Sequence, residues 1–455
     1  MMISLLKEYN IGEEFRQMRS VPVRMGEGRE DAVLFVHANT GNLDPWCEAM
    51  NFPRDTLKLT LISESGERLW QRDLGNGVIP GIWFSPVISF DLDGDGVDEI
   101  WLLDNRHPER PFSLEHRILE RMDPLTGEIT GQWQWPMLPA GCTMSHTYRY
   151  CLMGGYVHGE PVLVCSQGTY GDMYLQGYNK DMVLRWKIAI PAKEPGARAA
   201  HHTVVFDING DGIDELFWGE RVLSLDDGHE LFCGDRDSFN AHSDILVPFE
   251  DPQSGKIYVF TCREGQQSAP RVATYDAEMN TIWRSPDGGH MHNGWVAAIG
   301  ENRRYVAMAM SLALDAKGGD IHRSTPITYY FDAVTGERME NPLPYPGNQV
   351  LPIDLDGDGY HEFFIREGER KGEFMDRFGN SLGFGPGSSS VIRAGKILDR
   401  PGHQIMLGNG SKGFVGIYGD AEAKGGPGDK YAAYHKAMQH MMASGYNTTH
   451  INFGL

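Results

Sequence analysis

Cationic side chains are scarce in this 455-residue chain: 41 Lys+Arg stand against 62 Asp+Glu, a formal net charge of −21. A surface of that sign repels phosphate backbones, and no basic cluster interrupts it, which argues against a nucleic-acid partner. No run of about 18 apolar residues exists, so no membrane-spanning helix and no membrane partner are expected. The six cysteines (Cys47, Cys142, Cys151, Cys165, Cys233, Cys262) are far apart and form no C-x-x-C pair. Structural zinc and a disulfide framework are therefore disfavoured, and the thiols read as small core residues. Helical periodicity is almost missing, and so are a P-loop, a G-x-G-x-x-G unit, an H-E-x-x-H pair and a serine-nucleophile signature. The first residues, MMISLLKEYN, lack the basic start, apolar run and cleavage site of a signal peptide. Read as the natural start, they imply a cytoplasmic protein.

What the chain has is turn residues and aromatics, 55 Gly, 25 Pro and 11% Phe, Trp and Tyr, the composition of a core-forming, turn-rich protein. Its pattern repeats. Three segments are near-copies, DLDGDGVDE (91–99), DINGDGIDE (207–215) and DLDGDGYHE (354–362), each followed at once by a short apolar run. A second recurring element is a turn with a short strand, often bearing a tryptophan: Trp70, Trp133, Trp186 and the segment with Trp283. Short strands with turns at regular spacing suggest a sandwich, barrel or propeller. A period of roughly 40–50 residues is that of a four-stranded propeller blade. The expectation is all-β: one propeller domain over residues 1–455, of seven or eight blades and without an internal linker. One helix is expected, over 430–445, stopped by Gly445.

The acidic segments begin like EF-hand loops, in which alternating carboxylates converge on a cation because glycines let the backbone curl. An EF-hand needs glutamate at its twelfth position; here those positions are Leu102, Trp218 and Ile365. The segments therefore read as Ca²⁺ loops between strands. Their ligands are Asp91, Asp93, Asp95 and Asp98; Asp207, Asn209, Asp211 and Asp214; Asp354, Asp356, Asp358 and Glu362. His361 stands where the other two loops have Asp98 and Asp214. Because the loops repeat with the fold, the ion is expected to be structural.

Chemistry is sought where propellers bind ligands, in loops on one face around the channel. Histidines cluster just before four apolar runs: His146, His201 with His202, His242, and His290 with His292. Equivalent strand starts point such side chains toward a common axis, though alternation lets only one of His201 and His202 face inward. Tyr170 sits in a Gly-flanked turn, and Arg149, Arg198 and Arg263 lie near these elements.

The run AHHTVVFDINGDGIDELFWGERVLSLDDG (200–228), continued by AHSDILVPFEDPQSGKIYVFTCREG (241–265), resembles the rhamnogalacturonan lyase family. There a His-bearing strand, an acidic loop, a DDG turn and an H-x-D follow in the same order. SQGTYGDMYL (166–175) and the segment 398–420 resemble further blades of that family, so the likeness covers about two thirds of the chain. His242-Ser-Asp244 departs from the family's H-G-D. The resemblance implies a carbon–oxygen lyase acting on a uronic-acid-containing oligo- or polysaccharide, rhamnogalacturonan-like, ulvan or rhamnosyl-glucuronate, by β-elimination. That reaction removes a proton beside a carboxylate, so a cation must neutralise the carboxylate, a base must take the proton and an acid must protonate the leaving oxygen. Candidates are His146 and either His201 or His202 at the carboxylate and proton, Tyr170 as acid/base, and Arg198 on the carboxylate. His242, His290 and His292 are candidates for sugar contact, the last two also for metal. A chain of −21 fits a short or chain-end substrate better than a polyanion. The alternatives are a non-catalytic propeller binding carbohydrate or protein, and a glycoside hydrolase on the same fold.

Overall fold

The computed structural model describes residues 1–45, 53–135, 143–201, 203–264, 270–285, 290–312, 314–317, 320–323, 326–386 and 390–425, with the backbone alone from 312 to 323. The expected helix over 430–445, His202, Cys47 and Cys142 lie outside them.

Inner strands carry continuous apolar runs because both sheet faces are covered. Ala32–Ala38 is buried at every position, whereas the outer strand Ile129–Gln134 alternates. Eight four-stranded antiparallel sheets result, the upper end of the expected count. Blade 1 is Gln17–Val23, Ala32–Ala38, Lys58–Ser63 and Arg68–Asp73, and six further blades follow with first strands at Val87–Phe90, Tyr150–Val157, Val204–Phe206, Ser243–Glu250, His290–Ala298 and Val350–Ile353. Blade 8 pairs Ser390–Gly395, Gln404–Asn409 and Phe414–Asp420 with Ile3–Asn10, so the first strand of the chain closes the ring. First strands of neighbouring blades lie against one another around the axis. Among the described residues no helix is long and apolar enough to cross a membrane.

Both sequence repeats fasten one blade to the next. Trp70, Trp186 and Trp283, on the outer strands of blades 1, 3 and 5, donate their indole N–H to Pro124, Leu225 and Ala333 in a turn of the following blade. The glycines beneath the rings, Gly127, Gly228 and Gly336, have φ of 70°, 75° and 73°, and a Cβ there would stand 2.9 Å or less from the indole. In the acidic loops the eighth residue makes a two-point clamp to the preceding blade. Asp98 accepts the Arg24 N–H at 2.7 Å and its own N–H donates to the Arg24 carbonyl. Asp214 does the same with Tyr156, and His361 with Ala298.

This corrects the expected ligand sets. Asp98 and Asp214 are spent on backbone amides, and the place held by Glu362 in the third loop is held in the others by Glu99 and Glu215. Each of these glutamates accepts the N–H of the loop's second residue at 2.9 Å: Leu92, Ile208 and Leu355. Asp91, Asp93 and Asp95 converge, as do Asp354, Asp356 and Glu362. In all three loops the fifth residue accepts the N–H two residues on: Asp95 from Val97 and Asp211 from Ile213 at 2.8 Å, and Asp358 from Tyr360 at 2.7 Å.

Candidate active site

The acidic loops join first to second strands, whereas the histidine segments precede first strands, so in an up-and-down sheet the two sets lie at opposite ends of the propeller. His146 sits in the one-turn helix Met144–Thr147 ahead of blade 3, its N–H held by the Thr143 side chain. His201 and His242 precede the first strands of blades 4 and 5, tied together by a short parallel bridge between Ala200 and Ser243. His290 and His292 open the first strand of blade 6, and Glu264 follows the second strand of blade 5.

These side chains meet. The Tyr170 hydroxyl lies 3.0 Å from His201 Nε2, and its ring centroid 4.4 Å from that of His242 and 6.2 Å from that of His146. His201 Nδ1 is 3.0 Å from Asp244 Oδ1, and His242 Nε2 is 3.4 Å from the same oxygen and in contact with Glu264. His290 also touches Glu264, and His292 Nδ1 lies 2.9 Å from Asp244 Oδ2. Beneath the tyrosine, Arg149 lies with its guanidinium carbon 4.8 Å from the Tyr170 centroid and 4.6 Å from that of Trp83, while it pairs with Asp44 at 2.8 Å.

Burial shapes the protonation of this group. It pushes the Tyr170 phenol well above its ordinary value, and Arg149 pulls the other way. It also lowers His146 and His290. Burial works against a charged His242 too, yet Asp244 and Glu264 hold it up at about 9. Asp244 is raised by burial.

The arrangement fits a divalent cation. Asp244 is 0% exposed, yet neither of its oxygens accepts a properly directed hydrogen bond from the described residues; both point at imidazole nitrogens. Such a carboxylate is costly without a countercharge. Ligand atoms from His201, His242, Asp244 and Glu264 all lie within 4.8 Å of one another, and imidazole with carboxylate is a donor set for a divalent transition ion.

Of the sequence candidates, the structure brings together Tyr170, His201, His242, His290 and His292, with the His146 ring 6.2 Å from that of the tyrosine. It does not include Arg198. That guanidinium is buried and committed to the carbonyls of Gly196, Pro191 and Glu194 and to Asn240 Oδ1, so it holds a loop together and is not free for a carboxylate. Arg263 is equally committed, to Glu220, Asp235 and Tyr275. Asp244 and Glu264 were missed as site residues. The H-x-D spacing carries the first, since two residues along a strand share a face; the second comes from a neighbouring strand end and has no local signal.

An eight-bladed propeller with a histidine–carboxylate cluster at one end of its first strands is the class defined by these observations. Residues 145–343 match the family described as rhamnogalacturonan lyase family 11, C-terminal domain, a span that contains every member of the cluster. The chain is 26% identical over 328 residues to the rhamnogalacturonan exolyase YesX of Bacillus subtilis, covering 64% of this chain and 51% of that protein. It is 23% identical over 306 residues to the endolyase YesW of the same organism, covering 58% and 48%. It thus spans about half the length of these curated relatives. The solved structure of a Bacillus licheniformis rhamnogalacturonan lyase superposes with a TM-score of 0.77 at 17% identity, over 98% of this chain and 80% of that one, and shares its fold. The resemblance to rhamnogalacturonan lyases read from the acidic and histidine segments is borne out. A further match, over residues 44–57, is to a zinc finger domain of testis-expressed protein 13C; with one cysteine and no histidine that span cannot supply a zinc site.

Proposed function

We propose that the protein is a polysaccharide lyase that cleaves a uronic-acid-containing glycan by β-elimination, leaving an unsaturated uronate at the new end. The observation that carries this reading is the meeting of the Tyr170 hydroxyl, His201 and the Asp244–Glu264 pair within the segment that matches the lyase family.

The chain's own residues fit the three tasks of the reaction. His201 turns Nδ1 toward Asp244 and the cation position and presents Nε2 to the Tyr170 oxygen; with Nδ1 on a cation, Nε2 would carry the ring proton and donate to a Tyr170 phenolate 3.0 Å away. Arg149 beneath the ring favours the ionised form of the phenol. His146, whose pKa burial lowers, lies with its ring centroid 6.2 Å from that of the tyrosine and can hold or return the second proton. A cation held by His201, His242, Asp244 and Glu264 supplies Lewis-acid neutralisation of the uronate carboxylate. Arg149, buried beneath the ring and paired with Asp44, acts on the phenol, so the carboxylate role first given to Arg198 passes to the cation.

A cleft of about 1120 Å³ on the same face, whose charged lining is Glu13, Glu14, Arg16, Arg54, Asp55 and Lys58, gives room for several sugar units. Rhamnogalacturonan-like and rhamnosyl-glucuronate linkages are the substrates favoured, attacked from a chain end. The acidic loops bind Ca²⁺ at the opposite end of the propeller, where the ion is structural. Crowded carboxylates support this. Burial, with Asp356 and Asp354, pushes Glu362 up to about 9, and burial with Asp93 pushes Glu99 up to about 8; a cation relieves both.

The test is the ultraviolet absorbance of the conjugated double bond during incubation with rhamnogalacturonan, ulvan and rhamnosyl-glucuronate oligosaccharides. A rise with any of them is expected, and the responding glycan names the substrate. A flat trace with saturated fragments would replace the lyase by a hydrolase, and binding without fragments would leave a carbohydrate-binding propeller.

A further inference from the structure

Asp244 and Glu264 each turn their two oxygens toward different histidines. Asp244 Oδ1 faces His201 and His242, and Oδ2 faces His292; Glu264 Oε2 faces His242, and Oε1 faces His290. The ligand atoms therefore fall into two overlapping groups, each within 4.8 Å: one adds His201 and His242 to the two carboxylates, the other adds His290 and His292. We propose that the site holds two divalent cations side by side, bridged by Asp244 and Glu264, the first completed by His201 and His242 and the second by His290 and His292.

A single cation takes one oxygen from each carboxylate. It leaves Asp244 Oδ2 facing His292 and Glu264 Oε1 facing His290, and the aspartate is 0% exposed. Burial without a countercharge is costly, and a second cation removes that cost. Carboxylates that give one oxygen to each of two metals are how paired sites hold cations about 3.5–4 Å apart. Ligand atoms bonded to one ion at about 2.0–2.2 Å lie roughly 3 Å from each other, close to the 2.9–3.4 Å separations of Asp244 from its three histidines. Mixed nitrogen and oxygen donors suit ions of the Zn²⁺, Mn²⁺ or Co²⁺ kind, in contrast to the all-oxygen acidic loops that suit Ca²⁺. Two divalent cations against two carboxylates leave a positive centre, which gives a protein of net charge −21 a place to attract an anion.

The test does not depend on lyase activity. Metal-free protein is refilled with Zn²⁺ in excess Ca²⁺, dialysed and analysed for zinc per chain. The His290→Ala/His292→Ala double variant is expected to hold one zinc fewer than the wild type, and Asp244→Asn two fewer. Both histidines are partly exposed, so their loss leaves the fold, which circular dichroism checks. Refilling the wild type with Co²⁺ gives a second readout. Two carboxylate-bridged ions are spin-coupled, so the paramagnetic resonance signal per cobalt is depressed and recovers in the double variant. Equal zinc content in the wild type and the double variant, with an uncoupled cobalt signal in both, would overturn the second position.

Discussion

His361 Nδ1 accepts the N–H of Ala298 at 2.9 Å while the His361 N–H donates to the Ala298 carbonyl at 3.1 Å, which locks the third acidic loop to the inner strand of the blade before it. The histidine does the work of Asp98 and Asp214 in the other loops, so its appearance in an otherwise acidic motif is no defect in a cation site. His361→Ala leaves a buried N–H without its acceptor and is expected to cost about 1–3 kcal/mol in denaturant unfolding. His361→Asn, whose amide oxygen can accept the same N–H, recovers part of that. Calcium affinity stays unchanged in both. A loss of calcium binding as large as that of Asp354→Ala would instead make His361 part of the ion site.

Calcium binding to the acidic loops is expected to release protons near pH 7. Without an ion, burial and neighbouring carboxylates raise Glu362 to about 9, Glu99 to about 8 and Glu215 to about 7. These groups hold protons that the bound cation expels, so affinity rises with pH through that window. Titration calorimetry in buffers of different ionisation enthalpy should show a buffer-dependent heat, and chelation should lower the unfolding midpoint. Heats that do not vary with buffer would put the ion elsewhere.

Most of the architecture is legible in the sequence because its two repeats are physical fasteners. Trp70 and Trp186 recur since an indole must reach the next blade's turn, and Gly127 and Gly228 recur since no Cβ fits under it. The acidic loops are legible as loops but not in their inner assignments. Whether residue eight or nine turns inward depends on the preceding blade, which no local pattern encodes. The site is half legible for the same reason. Histidines ahead of inner strands announce themselves. Glu264 enters from the far end of a second strand, and the commitments of Arg198 are set by carbonyls of its own loop. A flexible-looking segment with one arginine reads as a ligand-binding arm, yet here it is folded around that arginine.

His37 is a built-in source of acid sensitivity. It is fully buried, with Nε2 2.8 Å from Thr60 Oγ1, and burial lowers it to about 4. The unfolded chain takes up the proton near pH 6.5, whereas the folded protein refuses it until about pH 4, so stability is present above the first value and falls as pH drops through the window. The contribution across that range is about 2–3 kcal/mol. His37→Gln keeps a polar group against Thr60 without the titration. The difference in unfolding free energy between it and the wild type should therefore shrink as pH falls from 7 to 5, and a constant difference would show that His37 takes up its proton in the fold as readily as in the unfolded chain.

Tyr170 and His146 can be separated by what their removal leaves. Tyr170→Phe keeps the ring against His242 and over Arg149 and deletes only the hydroxyl that faces His201. If the phenol moves a proton in the reaction, kcat falls about 10²–10⁴-fold with KM nearly unchanged. His146→Ala opens space beside Gly171 and leaves the cation ligands alone. It should likewise abolish turnover, with metal content and circular dichroism as in the wild type. Arg198→Met is expected to behave in the opposite way, unfolding at lower temperature because four acceptors, one of them fully buried, lose their donor, with kcat and KM kept below that temperature. Full activity in Tyr170→Phe would take the hydroxyl out of the chemistry and hand the proton to His146.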